Sequence, residues 1–384
     1  MAKIDDSVKK KVPELRFPGF TDDWEQRKLG ELSQKISVGI ATSSSKYFSS
    51  QDQGVPFIKN QDIKENRINT KNLEYISKEF DNKNKNKRVK QGDIITARTG
   101  YPGLSAVVPK ELEGAQTFTT LITRPISEMI LSEYISIFIN SPYGMKQISG
   151  MEAGGAQKNV NAGIVQNLLI PLPSLDEQKK ISNFILKLDD TIALHQRKLD
   201  LLKEQKKGYL QKMFPKNGAK VPELRFAGFA DDWEERKFKD ILKTHSFRSY
   251  LAGVSENGEY EVIQQGDKPI VGYSDGEPFT DYKDITLFGD HTVSLYKPKS
   301  PFFVATDGVK ILSADNFDGD YLYTTLERYK PEPQGYKRHF TILKNQDVWF
   351  TENMEEQQKI GSFFKQLDDT IALHQRKLDL LKEQ

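Results

Sequence analysis

LDDTIALHQRKLDLLKEQ occupies residues 188–205 and recurs, unchanged at every position, at residues 367–384. An identical internal repeat of this length indicates a duplicated structural unit. Apolar residues follow each other at steps of three and four, the heptad pattern of a helix with one narrow apolar stripe. Because neither helix can bury such a stripe alone, we predict that the two copies pack together as an intramolecular coiled coil. The predicted seam comprises Ile181, Ile185, Leu188, Ile192, His195, Leu199 and Leu202 in the first helix, and Ile360, Phe364, Leu367, Ile371, His374, Leu378 and Leu381 in the second.

Polar residues interrupt this seam at His195, matched by His374, and at Lys206. Polar positions within a coiled-coil seam commonly set its register. The alternative is a catalytic or metal-binding role, but no second ligand lies near either histidine in the sequence. The pattern therefore favours a structural role for all three residues.

A second repeat precedes each helix. VPELRFPGFTDDWEQRK, at residues 12–28, returns as VPELRFAGFADDWEERK at residues 221–237, with three differences. The two intervening segments differ in length by 30 residues and share little alignable sequence. We therefore expect a duplicated frame that carries two unrelated segments, which are free to vary while the frame stays constant.

Composition and missing motifs narrow the class of protein. The chain has 384 residues, no cysteine and a net charge of +2, and 29% of its residues are charged. Neither a signal peptide nor a membrane-length apolar run is recognisable, so a cytoplasmic protein of two or three domains is expected. The chain has no glycine-rich S-adenosylmethionine loop, no phosphate-binding loop and no close pair of metal ligands. NSPY at residues 140–143 differs by one residue from the NPPY-type motif of adenine methyltransferases, which does not suffice for such an enzyme.

Cationic and amide side chains in the first segment are candidates for contacts with DNA. Lysines and an arginine crowd residues 83–90 before a predicted strand, as either a solvated loop or a phosphate-contacting element. Other polar residues follow predicted strands, where their side chains can reach a groove. The candidates in this segment are Lys59, Asn60, Lys83, Lys85, Lys87, Arg88, Arg98, Thr99, Tyr101, Gln157, Lys158 and Asn159.

The second segment is richer in strand patterns, which alternate with turns that contain Gly, Asp and Pro. Amide, hydroxyl and cationic groups at those turns suit the recognition of base edges, where Gln or Asn pairs with adenine and Arg or Lys with guanine. Taken singly, each of them favours ordinary surface placement, and it is the set as a whole that indicates recognition of bases. The candidates are Gln264, Gln265, Lys268, His291, Thr292, Lys310, Tyr336, Lys337 and Arg338.

This ordered set of motifs resembles the specificity subunit of type I restriction-modification enzymes. The resemblance rests on the repeated VPELRF block, VPFIKNQDI, GDIITARTG, NLLIPLPSLDEQKKI, VIQQGD, TLFGDHT and the twin helices, and it covers nearly the whole chain. It implies an α+β protein in which two mixed α/β target recognition domains are separated by two long antiparallel helices, with a pseudo-twofold internal repeat. The implied domains are the first motif at 1–28, target recognition domains at 29–174 and 238–354, helices at 175–214 and 355–384, and the second motif at 215–237.

The resemblance also implies a non-catalytic DNA-binding subunit, each of whose recognition domains reads one half of a split target. Its implied partners are double-stranded DNA, modification subunits, expected to be two, and ATP-driven restriction subunits. S-adenosylmethionine, ATP and Mg are then expected on those partners, with no cofactor on this chain. A coiled-coil scaffold that binds proteins is the rival hypothesis, although it leaves the basic run and the polar loops without a role.

The sequence departs from the family pattern in two places. The second segment ends in DVWFTENMEEQQKI instead of an IPLP strand, so its last strand is expected to differ. The second helix ends at Gln384, whereas the first continues through KKGYLQKMF, so a shortened second helix is expected.

Overall fold

The computed structural model describes residues 13–151, 159–216, 218–335 and 337–383. The chain divides into two compact units, of which the first ends at Asp190 and the second begins at Thr191. This boundary falls inside the first long helix. The resemblance implied that helix at residues 175–214, and it runs from Leu175 to Lys212.

The first unit is a mixed α and β structure. Its strands are β1 (Glu25–Lys28), β2 (Ser33–Val38), β3 (Phe48–Ser49), β4 (Gly54–Ile58), β5 (Ile63–Lys64), β6 (Arg67–Ile68), β7 (Glu74–Ser77), β8 (Ile94–Thr96), β9 (Ser105–Val107), β10 (Gln116–Thr117), β11 (Leu121–Pro125) and β12 (Leu169–Leu172). Its helices are α1 (Lys78–Lys83), α2 (Ser132–Asn140), α3 (Pro142–Met151), α4 (Ala162–Gln166) and the first part of α5 (Leu175–Lys212).

The second unit contains the rest of α5 and a further set of elements. Its strands are β13 (Glu234–Lys237), β14 (Leu242–His245), β15 (Tyr260–Ile263), β16 (Ile270–Ser274), β17 (Thr286–Gly289), β18 (Leu295–Tyr296), β19 (Phe302–Val304), β20 (Val309–Ala314) and β21 (Asp347–Phe350). Its helices are α6 (Phe238–Ile241), α7 (Gly319–Tyr329), α8 (His339–Asn345) and α9 (Met354–Glu383).

The two segments share one sheet topology, which corrects the expectation that they are unrelated. One sheet has the order β2-β11-β8-β9 in the first unit and β14-β20-β17-β18 in the second, with antiparallel neighbours in both. In a further sheet, β4 lies parallel to β10 and antiparallel to β7, as β15 does to β19 and β16. Backbone pairing and apolar alternation define these sheets, so different sequences can build them.

The last strand of each segment returns to the frame motif. β12 pairs antiparallel with β1, and β21 pairs antiparallel with β13 in the corresponding register. The expectation of a different last strand in the second segment is therefore wrong. DVWF supplies the same four main-chain positions as LIPL, because strand pairing at this edge uses the backbone.

Each unit has its own apolar core. Ile94, Ile135 and Ile170 are fully buried in the first. The second is more aromatic: the Phe214 ring lies 5.5 Å from Trp233 in an edge-on contact and 6.2 Å from Tyr321 in a stacked one. Full burial of side chains of this size contributes roughly 1.5–3 kcal/mol each.

A buried ion pair joins each frame motif to the first turn of its long helix. Arg16 donates to both carboxylate oxygens of Glu177 at 2.7 and 2.9 Å, and Arg225 does the same to Glu356 at 2.6 and 2.9 Å. The two carboxylates are 1% and 0% exposed. Trp24 adds a third hydrogen bond to Glu177 at 3.2 Å. The repeated VPELRF block thus holds the start of each helix.

The residue after each glutamate joins the helix to its segment. Gln178 accepts a hydrogen bond from Leu131 N and donates to Met129 O and Pro173 O. Gln357 accepts from Asp318 N and donates to two carbonyl oxygens in the same arrangement. All six partners are main-chain groups, so the frame can hold segments of different sequence.

A polar side chain caps the start of each long helix. Ser174 caps α5, where its hydroxyl accepts from Glu177 N at 3.4 Å. Asn353 caps α9 by accepting from the backbone N–H groups of Glu355 and Glu356 at 3.0 and 3.1 Å. Each cap satisfies N–H groups that have no partner within the helix.

Within the second unit, the end of α5 packs antiparallel against α9. His195 Nδ1 lies 3.4 Å from His374 Nδ1, and the Tyr209 and Phe363 rings are 5.1 Å apart, so residue numbers rise along one helix as they fall along the other. Lys206 bridges Glu327 at 2.5 Å and Asp368 at 2.6 Å. The polar interruptions of the seam are therefore engaged in pairs across the helices.

The residues of the predicted seam differ in burial and in what they pack against. Leu199, Leu202 and Leu378 are buried. Ile360 and Phe364 lie in the second apolar core, and Ile181 packs against the first core. The remaining predicted positions, Ile185, Leu188, Ile192, Leu367, Ile371 and Leu381, are partly buried. The first turns of each helix thus use the stripe to cover their own core, which corrects the expectation of a seam along the whole stripe.

Candidate nucleic-acid interface

Four chain segments far apart in sequence meet in the first unit. Asn60, two residues past β4, accepts a hydrogen bond from Arg98 N at 2.8 Å and donates to Thr119 Oγ1 at 3.1 Å. Arg98, two residues past β8, donates through Nε to Val160 O at 3.1 Å, and its own carbonyl accepts from Val160 N. We call residues 59–60, 97–104, 117–120 and 159–161 the first loop cluster.

Tyr101 in this cluster is 70% exposed. It lies between Gly100 and Gly103, whose φ angles of +79° and +95° need glycine. Thr99 and Asn159 are also exposed. Lys59 faces its own unit, because its Nζ pairs with Glu74 at 2.5 Å. The predicted contacts Gln157 and Lys158 lie outside the described residues.

Several cationic side chains of residues 83–90 bind groups of their own unit. Arg88 forms a two-pronged ion pair with the buried carboxylate of Asp81. Lys87 Nζ donates to Gly39 O at 3.0 Å, and Lys83 pairs with Glu79 at 2.7 Å. Lys83 ends α1 and Lys85 begins a short 3-10 turn, so the run is not a plain loop; both side chains are exposed.

Asp81 is held in its charged form. Burial raises the pKa of this carboxyl, but hydrogen bonds from Arg88 and Gln116 outweigh burial and bring the pKa below its ordinary value of 3.8. Arg88 is therefore committed to the stability of the first unit. A contact between Arg88 and a DNA phosphate remains a prediction from the sequence.

Loops of the second unit converge in the corresponding place. Gln265, two residues past β15, accepts from His291 N at 2.9 Å, and His291 is two residues past β17. His291 Nδ1 lies 3.2 Å from Lys337 O, and the buried Asp290 accepts from the backbone N–H groups of His339 and Phe340. We call residues 264–268, 290–294, 306–308, 334–335 and 337–339 the second loop cluster.

Most predicted contacts of the second segment lie in this cluster. Lys268, Thr292, Lys337 and Arg338 are exposed. Gln264 donates to Lys268 O at 3.3 Å within the turn that joins β15 to β16. Lys310 lies at the start of β20, where its Nζ donates to Asp307 O at 2.7 Å. Tyr336 lies outside the described residues.

The outer faces of the frame helices expose a repeated pair of leucines. Leu194 and Leu201 are 67% and 58% exposed on α5, and their counterparts Leu373 and Leu380 are 50% and 55% exposed on α9. Each pair is spaced by seven residues, so it forms a second apolar stripe on its helix. The four exposed leucines thus form two matched apolar pairs, one on each frame helix.

In the described ranges, no three His, Cys, Asp or Glu side chains are grouped so that they could hold a metal ion. Across the same ranges, none of the helices combines the length and apolar character that a membrane crossing requires.

Two units with equivalent sheets, each with polar loops gathered at the ends of equivalent strands, define a duplicated architecture on a repeated frame. The family model described as the type I restriction modification DNA specificity domain matches residues 21–204 and 230–383. The chain belongs to this family and contains two copies of its domain. It is a DNA sequence-specificity subunit and does not itself catalyse a reaction.

Individual proteins agree with the family match. A Methanocaldococcus jannaschii protein provisionally named the type I restriction enzyme MjaX specificity subunit is 23% identical over 397 residues, which cover 94% of this chain and 91% of that protein. The EcoBI specificity subunit of Escherichia coli is 26% identical over 128 residues, 33% of this chain and 27% of that protein. The crystal structure of the type I restriction-modification S subunit from M. genitalium has the same fold, with a TM-score of 0.66 at 15% identity and coverage of 97% and 96%.

Proposed function

We propose that each loop cluster reads one half of a two-part DNA target. The observation that carries this proposal is the pair of equivalent clusters, which have different side chains on one sheet topology. Residues 29–174 and 238–354 are then the two target recognition domains, and residues 1–28, 175–214, 215–237 and 355–384 form the frame.

Exposed side chains of the clusters have the chemistry for such reading. Thr99, Asn159 and Thr292 offer hydrogen-bonding groups for base edges, and Tyr101 offers an apolar ring for a thymine methyl group. Lys268 and Arg338 supply positive charge for phosphates or guanine. The exposed Lys83 and Lys85 add phosphate contacts in the first domain.

The frame helices set the number of unread base pairs between the half-sites. A helix of 38 residues is about 57 Å long at 1.5 Å per residue. The same groove face of DNA returns about every 34 Å, so rods of this length suit half-sites separated by one to two turns. Exchange of a segment then changes the sequence read without a change of spacing.

Two modification subunits bind the chain, one on each exposed leucine pair. The 18-residue repeat presents the same surface twice, at Leu194 and Leu201 and at Leu373 and Leu380. A partner that recognises the first copy recognises the second, because the side chains are identical. S-adenosylmethionine, ATP and Mg belong to the modification and restriction subunits of the complex.

The direct test of the docking faces is the mass of the complex. Co-purification with modification subunits is measured by native mass spectrometry for wild type, Leu194→Glu and Leu373→Glu. We expect two modification subunits on wild type and one on each variant. Two subunits on both variants would show that the leucines are not the docking face.

DNA binding is tested with the assembled complex on target and random duplexes over a range of salt. We expect binding to the random duplex to weaken steeply as salt rises, and tighter binding to the target. A complex that ignores both salt and sequence would favour the protein-binding scaffold instead.

A further inference from the structure

The two segments share a polar contact that their sequences do not reveal. In each, the second residue after the parallel strand is an amide, Asn60 after β4 and Gln265 after β15. In each, its carbonyl oxygen accepts from the N–H of the second residue after the equivalent central strand, Arg98 at 2.8 Å and His291 at 2.9 Å. The same bond thus occurs at the same topological place, with different residues on both sides.

We propose that Asn60 and Gln265 are positioning residues that hold the reading loops in place and do not themselves read bases. This inference rests on the proposed reading of DNA by the two loop clusters. It assigns sequence discrimination to the loop side chains beyond the amides, such as Thr99, Tyr101 and Thr292.

The first amide has both of its polar ends engaged within the protein. Asn60 accepts from Arg98 N through Oδ1 and donates to Thr119 Oγ1 through Nδ2. An asparagine that reads adenine needs both its oxygen and its NH₂ group for the base. Asn60 could read a base only by releasing the loop that follows β8.

The second amide is enclosed by glycines. A Cβ added at Gly308 would lie 2.5 Å from Gln265 Nε2, and one added at Gly289 would lie 2.7 Å from Gln265 Cβ. Glycine at both places leaves room for this side chain, whose oxygen accepts from His291 N at 2.9 Å.

Within the loop after β8, Gly103 N donates to Ala97 O at 2.9 Å and Leu104 N to Tyr101 O at 3.2 Å, whereas the bonds of Arg98 to Asn60 and Val160 tie the start of the loop to other segments. The loop after β8 passes through two glycines with positive φ on either side of Tyr101. Without an acceptor for Arg98 N, its base contacts lose the fixed geometry that discrimination needs. All base pairs of that half-site are then read less strictly, whereas a lost base reader affects one pair.

The test uses the complex with modification subunits and duplexes that carry every single substitution in the target. Its variants are Asn60→Ala, Asn60→Asp, Gln265→Ala and Gln265→Glu. We expect Asn60→Ala to lower discrimination roughly tenfold across one half-site, as loss of a hydrogen bond of ordinary strength allows, and to leave the other half-site unchanged. Gln265→Ala should do the same in the other half-site.

The acidic variants separate positioning from reading. A carboxylate still accepts from Arg98 N or His291 N, so Asn60→Asp and Gln265→Glu should keep discrimination. An amide that reads adenine would fail in these variants, because a carboxylate cannot donate to the base. Loss confined to one base pair, or acidic variants as impaired as the alanine variants, would overturn the proposal.

Amide hydrogen exchange provides a readout that does not depend on DNA. The Arg98 N–H should exchange faster in Asn60→Ala and at the wild-type rate in Asn60→Asp, while the core strand β8 stays protected. Unchanged exchange in Asn60→Ala would contradict the positioning role. If wild type discriminates no duplex, the proposed function fails, and the exchange data still decide whether the amide holds the loop.

Discussion

Replacement of Arg225 by methionine tests how the repeated motif stabilises the start of its helix. The side chain of Glu356 is 0% exposed, and both of its oxygens accept from Arg225. Methionine keeps most of the apolar stem but leaves the carboxylate buried without its cation. Removal of one partner of a buried ion pair costs about 3–5 kcal/mol. In a unit of this size, that loss lowers the melting temperature by roughly 6–20 °C.

Arg16→Met in the first unit is the matched control. Glu177 keeps a hydrogen bond from Trp24 Nε1 at 3.2 Å after the arginine is removed. The loss should therefore be smaller than in Arg225→Met, because a remaining hydrogen bond partly compensates the charge. The double variant Arg225→Met, Glu356→Leu should recover most of the stability, since it removes both buried charges.

Hydrogen exchange with mass spectrometry measures these effects in each unit separately, and differential scanning calorimetry gives the overall change. The expected order of loss is Arg225→Met, then Arg16→Met, then the double variant. A loss of less than about 1 kcal/mol in Arg225→Met would refute a stabilising role for the pair, as such a value is typical of an exposed ion pair. A double variant no more stable than Arg225→Met would refute the argument from an uncompensated charge.

Three further substitutions test other contacts. Gly361→Ala should destabilise the second unit by about 1–3 kcal/mol despite the higher helix propensity of alanine, because the added Cβ would lie 2.6 Å from Tyr321 N; calorimetry measures this. Burial raises the pKa of Asp81, but hydrogen bonds from Arg88 and Gln116 lower it below 3.8. The charged Asp81 therefore stabilises the folded state above pH 3.8, and this contribution is lost as the pH falls below that value. Asp81→Asn should lose less stability than wild type between pH 5 and pH 3 in urea titrations. Burial, with further contributions from His195, Lys377 and Lys198, lowers the pKa of His374 from 6.5, so stability is lost as pH falls below 6.5; His374→Leu should reduce that loss, and an unchanged pH profile would count against it.

The duplicated frame could be predicted from the sequence because its periodicity is local. The heptad pattern identified the helix, and the expected range of 175–214 agrees with α5 to within two residues at each end. The antiparallel pairing of the helices and the α+β class are confirmed. The stripe alone could not separate residues that face the second helix, such as Leu199, from those that cover a core, such as Phe364, because both uses need the same apolar spacing.

The contact between each frame motif and its helix was not predicted. Arg16 and Glu177 are separated by 161 residues, and both are residue types that are common on protein surfaces. A signal was nevertheless present: Glu-Gln recurs at 177–178 and 356–357, at the same offset as the identical helices. The shared topology of the segments was missed because sheets constrain backbone pairing far more than side-chain identity.

The polar candidates show the same limit. Asn60 and Gln265 are predicted DNA contacts because their amide groups can pair with bases. In the structure, the amide oxygen of each accepts a hydrogen bond from the backbone of a neighbouring loop. Arg88 was selected for its charge, which Asp81 largely neutralises. The sequence shows which side chains are polar, but not which of them already form hydrogen bonds or ion pairs within the protein.

If the two recognition domains on the duplicated frame each specify half of the DNA target, exchange of one domain changes one half-site. Methylated adenines are mapped across a genome in cells that express the modification subunits with the wild-type chain, or with a chain in which residues 29–174 also replace residues 238–354. We expect a two-part target with unlike halves for the wild-type chain. For the duplicated chain we expect the first half-site twice, in inverted orientation and with a similar spacer. An uninterrupted target for wild type, or an unchanged target for the duplicated chain, would contradict this prediction.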